Sequence, residues 1–215
     1  LTVDDPLDYA DEASPETGVD EDQLVALIDQ LNEIPEGHTT HPNLLRQLRR
    51  REDMVRGELP VDWGCAEALA YGSLLLEGVP VRLVGQDSGR GTFSQRHSVI
   101  RDQVTEADYV PLNDLEGGAR FEVHDSLLSE EAAVGFEYGY ALGRPEGLTI
   151  WEAQFGDFVN GAQVQIDQFI APGEAKWKQI GGVTMLLPHG YDGQGPEHSS
   201  GRMERFLLLC SEGNM

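Results

Sequence analysis

Lysine is almost missing from this chain: only Lys176 and Lys178 occur in 215 residues, and 15 basic residues stand against 38 acidic ones for a formal charge of −23. A field of that sign repels phosphate backbones and anionic lipid heads, so neither nucleic acid nor a membrane surface is expected as a partner. Adaptation to high salt would produce such a surface, and so would charge serving solubility. Cysteine is equally scarce. Cys65 and Cys210 stand in no CxxC or Cys/His spacing, which argues against a disulfide framework or a structural zinc and fits a reducing cytoplasm. Long apolar runs are missing too. The longest stretches, such as residues 183–188 and 206–210, fall far short of the roughly 20 residues a bilayer span needs. The acidic N-terminus has neither a cationic start nor an apolar h-region, so a soluble, unexported protein is expected.

What remains is ordinary globular material, 40% apolar and 25% charged, with length for one domain or one domain plus an appendage. Residues 1–22 hold nine Asp or Glu and no Lys or Arg, with Pro6 and Pro15. That composition buries too little to offset ordering entropy and reads as a flexible acidic arm, bounded at 1–19. Residues 20–58 read as a helical extension. Leu24, Leu27, Ile28 and Leu31 fall at helical spacing behind Asp20, and Asn43 can cap a second helix through Arg49-Arg50-Arg51 to about Arg56. The basic cluster reads as a solvated helical face.

From residue 59 to 215 helices and short apolar strands alternate. Asp62 can cap a helix over residues 63–76 that Gly78 closes, and residues 81–84 form a strand. Ser129 opens a helix that Gly143 ends, ahead of a strand over residues 148–152. A helix over residues 157–169, a strand over 183–187 and a helix over 202–211 follow, while residues 102–123 read as a loop or hairpin. The alternation argues for an α/β fold, a parallel sheet with helices on both faces. Ligand chemistry then belongs at the strand C-termini, each of which runs into a polar or glycine-rich loop.

Those loops hold the candidate chemistry. His189 and His198 lie among Gly190, Gly193 and Gly195, where backbone can approach a ligand and imidazoles can face it. Their spacing is not a zinc pattern, and no metal ligands are assigned; a His/Asp metallohydrolase is a remote alternative. Ser94-Gln-Arg-His97 offers a hydroxyl, a cation and an imidazole, enough for carboxylate binding or for an ordinary loop. Glu130 and Glu131 occupy a first helical turn, which by itself is plain helix-start chemistry. A glutamate buried at an interface beside aromatic walls would hold its proton more readily and could share it. Phe155 and Phe158 could pack in a core or stack on a flat heterocycle.

Four strings, GQDSGRGTFSQRH (residues 85–97), LSEEAAVGFEYGYA (128–141), IWEAQFGDFVNGAQVQIDQFI (150–170) and LLPHGYDGQGPEHSSGRMERFL (186–207), together resemble the E1 component of 2-oxoglutarate dehydrogenase, including the actinobacterial multifunctional enzymes of the thiamine-diphosphate-dependent, transketolase-like group. The resemblance runs from about Asp20 to Met215. It implies that residues 59–215 are a thiamine-diphosphate pyrimidine-binding domain, the middle part of a longer enzyme. Glu130 then corresponds to the glutamate that hydrogen-bonds the aminopyrimidine N1′ and promotes deprotonation of the thiazolium C2. Leu128 matches the residue that props the cofactor in its bent shape, and Phe155 and Phe158 match the pocket lining. The resemblance also implies that Gln86 and Asp87 face the cofactor, that His198 stands beside the reacting carbon, and that His189 and His97 add polar contacts.

The implied reaction decarboxylates 2-oxoglutarate, in the tricarboxylic acid cycle, and passes a succinyl unit to lipoamide on a partner E2. The half-site leaves 2-oxoadipate open as the substrate. The GDG…NN motif that holds Mg2+ and the diphosphate is absent from these residues. The resemblance therefore implies that a diphosphate-binding domain elsewhere supplies it and that the cofactor sits in a seam of a homodimer. This chain alone is expected to be inactive. The alternative is a non-catalytic dimerisation or assembly module, whose contact surface would be the small-residue helix over residues 129–141.

Overall fold

Helix starts are set by side chains that satisfy the free amides of a first turn. In the computed structural model, which describes residues 16–190 and 194–210, Asp20 accepts from the Asp22 amide ahead of α1 (Glu21–Leu31). α2 (Pro42–Val55) is capped by His41, whose ring accepts from the Asn43 amide. Asn43 is therefore not the cap: Pro42 has no N–H to lose and holds the first helical position, so the helix starts two residues upstream of the expected place. Asp62 caps α3 (Trp63–Leu76) through the Cys65 amide, and Gly78 follows at φ +84°, a left-handed turn that glycine takes without a Cβ clash. Ser129 accepts from Ala132 to open α4 (Glu130–Gly143). Residues 1–15 of the expected acidic arm lie outside the described residues.

Six strands occur among the described residues: β1 (Val81–Gly85), β2 (Ile100–Arg101), β3 (Asp108–Tyr109), β4 (Phe121–Asp125), β5 (Leu148–Glu152) and β6 (Val183–Leu186). The expected loop or hairpin over residues 102–123 thus contains an antiparallel pair, β2 with β3, but its end belongs to an edge strand, β4, that the polar residues Glu122, His124 and Asp125 conceal. The main sheet has the order β4-β1-β5-β6. β1 and β4 run parallel, joined near their starts by the Val81 amide to the Arg120 carbonyl and at their ends by the Ser126 amide to the Gly85 carbonyl. β5 and β6 are also parallel, Thr149 facing Val183 and Glu152 facing Leu186.

The chain divides into two compact units. The first holds residues 82–87, 124–190 and 194–210. Its core gathers Val134 of α4, Trp151 and Ala153 at β5, and Val159, Ala162 and Ile166, with Phe206 and Leu209 of α7 (Met203–Leu209) packed against them. The single helix expected over residues 157–169 is broken. It is a 3-10 helix over Gly156–Ala162, one α turn, α5 (Gln163–Gln165), and a π turn over Ile166–Ile170, followed by α6 (Gly173–Trp177). Gly156 and Gly161 weaken regular helix here and permit close approaches that a Cβ would prevent. A buried bidentate pair pins α4 to β1: Arg82 donates to both Glu137 oxygens, at 2.7 and 3.0 Å, with its guanidinium 4.5 Å above the Tyr140 ring.

The second unit holds Glu16–Val81 and Ser88–Val123. α1 contributes Leu27, Ile28 and Leu31 to its core, and Tyr71 stacks on Phe121. Arg49 and Arg50 are exposed as expected of a solvated face, but Arg51 is buried. Its guanidinium donates to the Gln95 and Arg96 carbonyls, which replaces lost water and explains why this one arginine leaves the solvated set. Asp102 ties loops together by accepting from the Thr105, Thr39 and Val104 amides, and these bonds hold its carboxyl far below the usual carboxylate range.

Two outcomes are expected. Arg82→Ala strands the Glu137 carboxylate in the core and should cost about 3 kcal/mol in urea denaturation; an unchanged midpoint would show the pair contributes nothing. Asp102 has a depressed folded-state pKa, so its contribution is complete at neutral pH and drains as pH falls below about 4, the unfolded value. The acid limb of a stability–pH curve should accordingly be shallower in Asp102→Asn than in the parent.

Candidate functional site

Three loops of the first unit follow β1, β5 and β6, and they carry most of the expected site residues. After β1, the half-buried Gln86 donates from Nε2 to Glu130 Oε1 at 3.3 Å. Asp87 takes a left-handed backbone, φ +55°, uncommon for a residue with a side chain, and accepts from Gln154 Nε2 at 3.2 Å.

Glu130 owes its position to the Ser129 cap, which turns the chain into α4 directly before it. Its carboxylate lies over Gly161, where a Cβ would stand 3.3 Å from Oε2; the bare glycine leaves that side chain its space. Glu131, its neighbour, is exposed. Leu128 is 84% exposed and Leu127 83%, so two large apolar side chains stand in water just ahead of the glutamate.

The aromatic expectation resolves into a cluster. Phe155, the extended residue that precedes the 3-10 helix, and Phe158 within it meet edge to face at 5.9 Å between ring centres. The His198 ring stands edge-on to both, at 4.6 Å from Phe155 and 5.1 Å from Phe158. All three are half-buried, so their rings are neither core nor plain surface.

The loop that carries His198 is tied down by residues the sequence reading passed over. Asp157 is 2% exposed. One of its oxygens accepts from the Ser199 and Ser200 amides at 2.9 and 2.7 Å, and the other from Arg202 Nε at 2.7 Å. These bonds, the two amides first, hold its carboxyl below the usual range against the opposing effect of burial. The Gly156 amide donates to the Pro188 carbonyl. A Cβ on Gly156 would meet Gly201 Cα at 2.6 Å and the Pro188 oxygen at 2.7 Å, so two loops approach to backbone contact there. His189 is exposed; its Nδ1 accepts from the Gly201 amide at 3.0 Å, which places the proton of the neutral ring on Nε2. Asp157 and Arg202 lay in the quoted strings, but no periodicity or spacing rule pairs residues 45 apart.

His97 belongs to the second unit. It too has a left-handed backbone, φ +48°, as does Ser94 at +55°. Burial, then the charges of Arg51 and Arg90, push its imidazole below its ordinary pKa. Arg96, beside it, is 3% exposed and forms a two-bond pair with Glu67 while donating to the Ser88 carbonyl. Among the described residues no group of three or more His, Cys, Asp or Glu is placed to hold a metal ion, and no helix is long and apolar enough to cross a membrane.

The first unit holds a carboxylate beside an amide, an aromatic pair with an imidazole edge-on to both rings, and two exposed leucines just ahead of the carboxylate. That set can clasp a flat, nitrogen-bearing ring and exchange a proton with it. A family model described as the transketolase pyrimidine-binding domain matches residues 60–215. The chain is 54% identical over 213 residues to the 2-oxoglutarate dehydrogenase E1 component of Cupriavidus necator, an alignment covering 97% of this chain and 22% of that protein. It is 53% identical over 210 residues to the E1 components of Azotobacter vinelandii and of Haemophilus influenzae, again covering 97% of this chain and 22% of each. The chain therefore spans only about a fifth of the length of these relatives.

The contact at Gly156 gives a test. Gly156→Ala forces the 3-10 helix away from Gly201 and should lower stability by about 1–3 kcal/mol in thermal or urea unfolding. A variant as stable as the parent would show that the two loops are free to part.

Proposed function

Since the chain belongs to the transketolase pyrimidine-binding domain family, we propose that it forms the pyrimidine half of a thiamine-diphosphate site in a 2-oxoglutarate dehydrogenase E1 component. The observation that carries this reading is Glu130, held at the first turn of α4 beside Gln86 and over Gly161, with a half-buried aromatic cluster in the same unit.

The residues fit a bound pyrimidine. Glu130 would share a proton with a ring nitrogen, and its bond from the Gln86 amide orients the carboxylate for that exchange. Phe155 and Phe158 would wall the ring, and Leu128, now 84% exposed, would prop the cofactor from below. When bound, thiamine diphosphate would supply a nucleophilic carbon and an electron sink for decarboxylation of a 2-oxo acid. His198, steadied by two aromatic edges, would face the reacting carbon. His189 would offer a polar contact to a dicarboxylate substrate, and Asp87 would stand near the cofactor. Mg2+ and the diphosphate would be held by another domain of a cytoplasmic homodimeric enzyme, and a lipoyl-bearing E2 would take the succinyl unit.

The exposed Leu127, Leu128 and Phe136 at α4, the last at 63%, favour a second reading, a dimerisation or assembly module without catalysis. One experiment separates the two. In the full-length protein, Glu130→Ala and Glu130→Gln should each lower 2-oxoglutarate-dependent CO2 release by about 10²–10⁴-fold, with the dimer intact in sedimentation. Full activity in both variants would remove Glu130 from the chemistry and leave the assembly reading.

A further inference from the structure

The sequence between β6 and His198 holds three glycines, Gly190, Gly193 and Gly195. Such a segment has large freedom to lose when it adopts one shape. Two aromatic edges alone do not fix an imidazole, because ring contacts of this kind are worth only about 0.5–1.5 kcal/mol each.

The constraint on the loop comes from its far side. The Asp157 carboxylate sits in the first turn of the 3-10 helix, between Phe155 and Phe158. It accepts from the amides of Ser199 and Ser200, the two residues directly after His198, and from the Arg202 guanidinium. Further bonds close the loop on itself: the Gly190 amide donates to the Ser199 carbonyl, the His198 amide to the Gly195 carbonyl, and the Ser199 hydroxyl to the Gly195 carbonyl. The same short helical segment therefore presents both the aromatic walls and the anchor that pins the histidine against them. Charge-assisted bonds to a buried carboxylate are roughly twice as strong as neutral ones, and leaving it unpaired is costly.

We infer that Asp157, with Arg202, is the positioning pair for His198: it fixes the backbone just beyond the histidine so that the imidazole is held against Phe155 and Phe158 before substrate arrives. This rests on the proposed role of His198 in the reaction. Neither Asp157 nor Arg202 need touch cofactor or substrate. Preorganisation of this kind acts on the chemical step, since a displacement of about 1 Å in a catalytic group can cost about 10²-fold in rate.

The test uses the full-length E1 protein and three substitutions, read by steady-state kinetics of 2-oxoglutarate-dependent CO2 release and by hydrogen exchange of the peptide spanning residues 194–205. His198→Ala first establishes the histidine's role. Asp157→Ala should lower kcat by about tenfold or more while KM stays within about twofold, and exchange should quicken in that peptide while the rest of the domain keeps its protection. Asp157→Asn, which retains one carbonyl oxygen for the two amides, should recover part of the loss. If Asp157→Ala fails to fold, Arg202→Gln takes its place with the same expected pattern. Activity lost in His198→Ala but kept in the anchor variant overturns the inference and leaves the role of His198 standing. A kcat loss accompanied by loss of protection throughout the domain also overturns it, because the pair would then be a general fold element. Full activity in His198→Ala defeats the role of the histidine itself, and the inference with it.

Discussion

A carboxylate half out of water, with a side-chain amide as its hydrogen-bond partner, is the constraint around which the first unit is arranged. Burying part of a charged group is unfavourable unless something replaces the lost water, and Gln86 supplies a single bond of 3.3 Å to Glu130. Space for the other oxygen depends on Gly161 having no side chain, and Gly161 sits where the expected α-helix is wound as a 3-10 helix instead. The irregular helix, the glycine and the glutamate are therefore one local solution. A regular helix bearing a larger residue there would press on the carboxylate.

Rigid parts surround this centre. Arg82 and Glu137 lock α4 to β1 behind the site, which fixes the helix whose first turn bears Glu130. Asp157 and Arg202 do the same for the loop after β6. In both cases an arginine–carboxylate pair is spent on holding backbone in place, in a chain with few cations to spend: 15 basic residues for 38 acids. Several of the arginines in this structure are committed to such work, Arg51 and Arg96 in the second unit included.

Much of the fold was legible because its signals are local. Asp62 and Gly78 bracket α3, and Ser129 opens α4, through capping chemistry that depends on the few residues around each end. The apolar runs of β1, β5 and β6 announced strands of a parallel sheet, β1 and β5 largely buried and β6 half-buried at its edge. β4 is concealed because Glu122, His124 and Asp125 give an edge strand a polar face, and Asn43 is not the cap of α2 because the His41 ring takes that place ahead of Pro42. The site divides in the same way. Gln86 hydrogen-bonds Glu130, and the His198 ring stands edge-on to Phe155 and Phe158, contacts that no spacing rule brings together. The partners Asp157, Arg202 and Gly161 were hidden because their meaning lies in contacts between residues tens of positions apart. Arg51 looked like surface for the same reason.

The most direct measurement of the central claim is a structure of the full-length protein bound to thiamine diphosphate and Mg2+. The account expects the Glu130 carboxylate within about 3 Å of the pyrimidine ring nitrogen, the ring between that carboxylate and Phe155 and Phe158, and Leu128 covered. A cofactor seated elsewhere, with Glu130 still facing solvent and Gln86 alone, would contradict it.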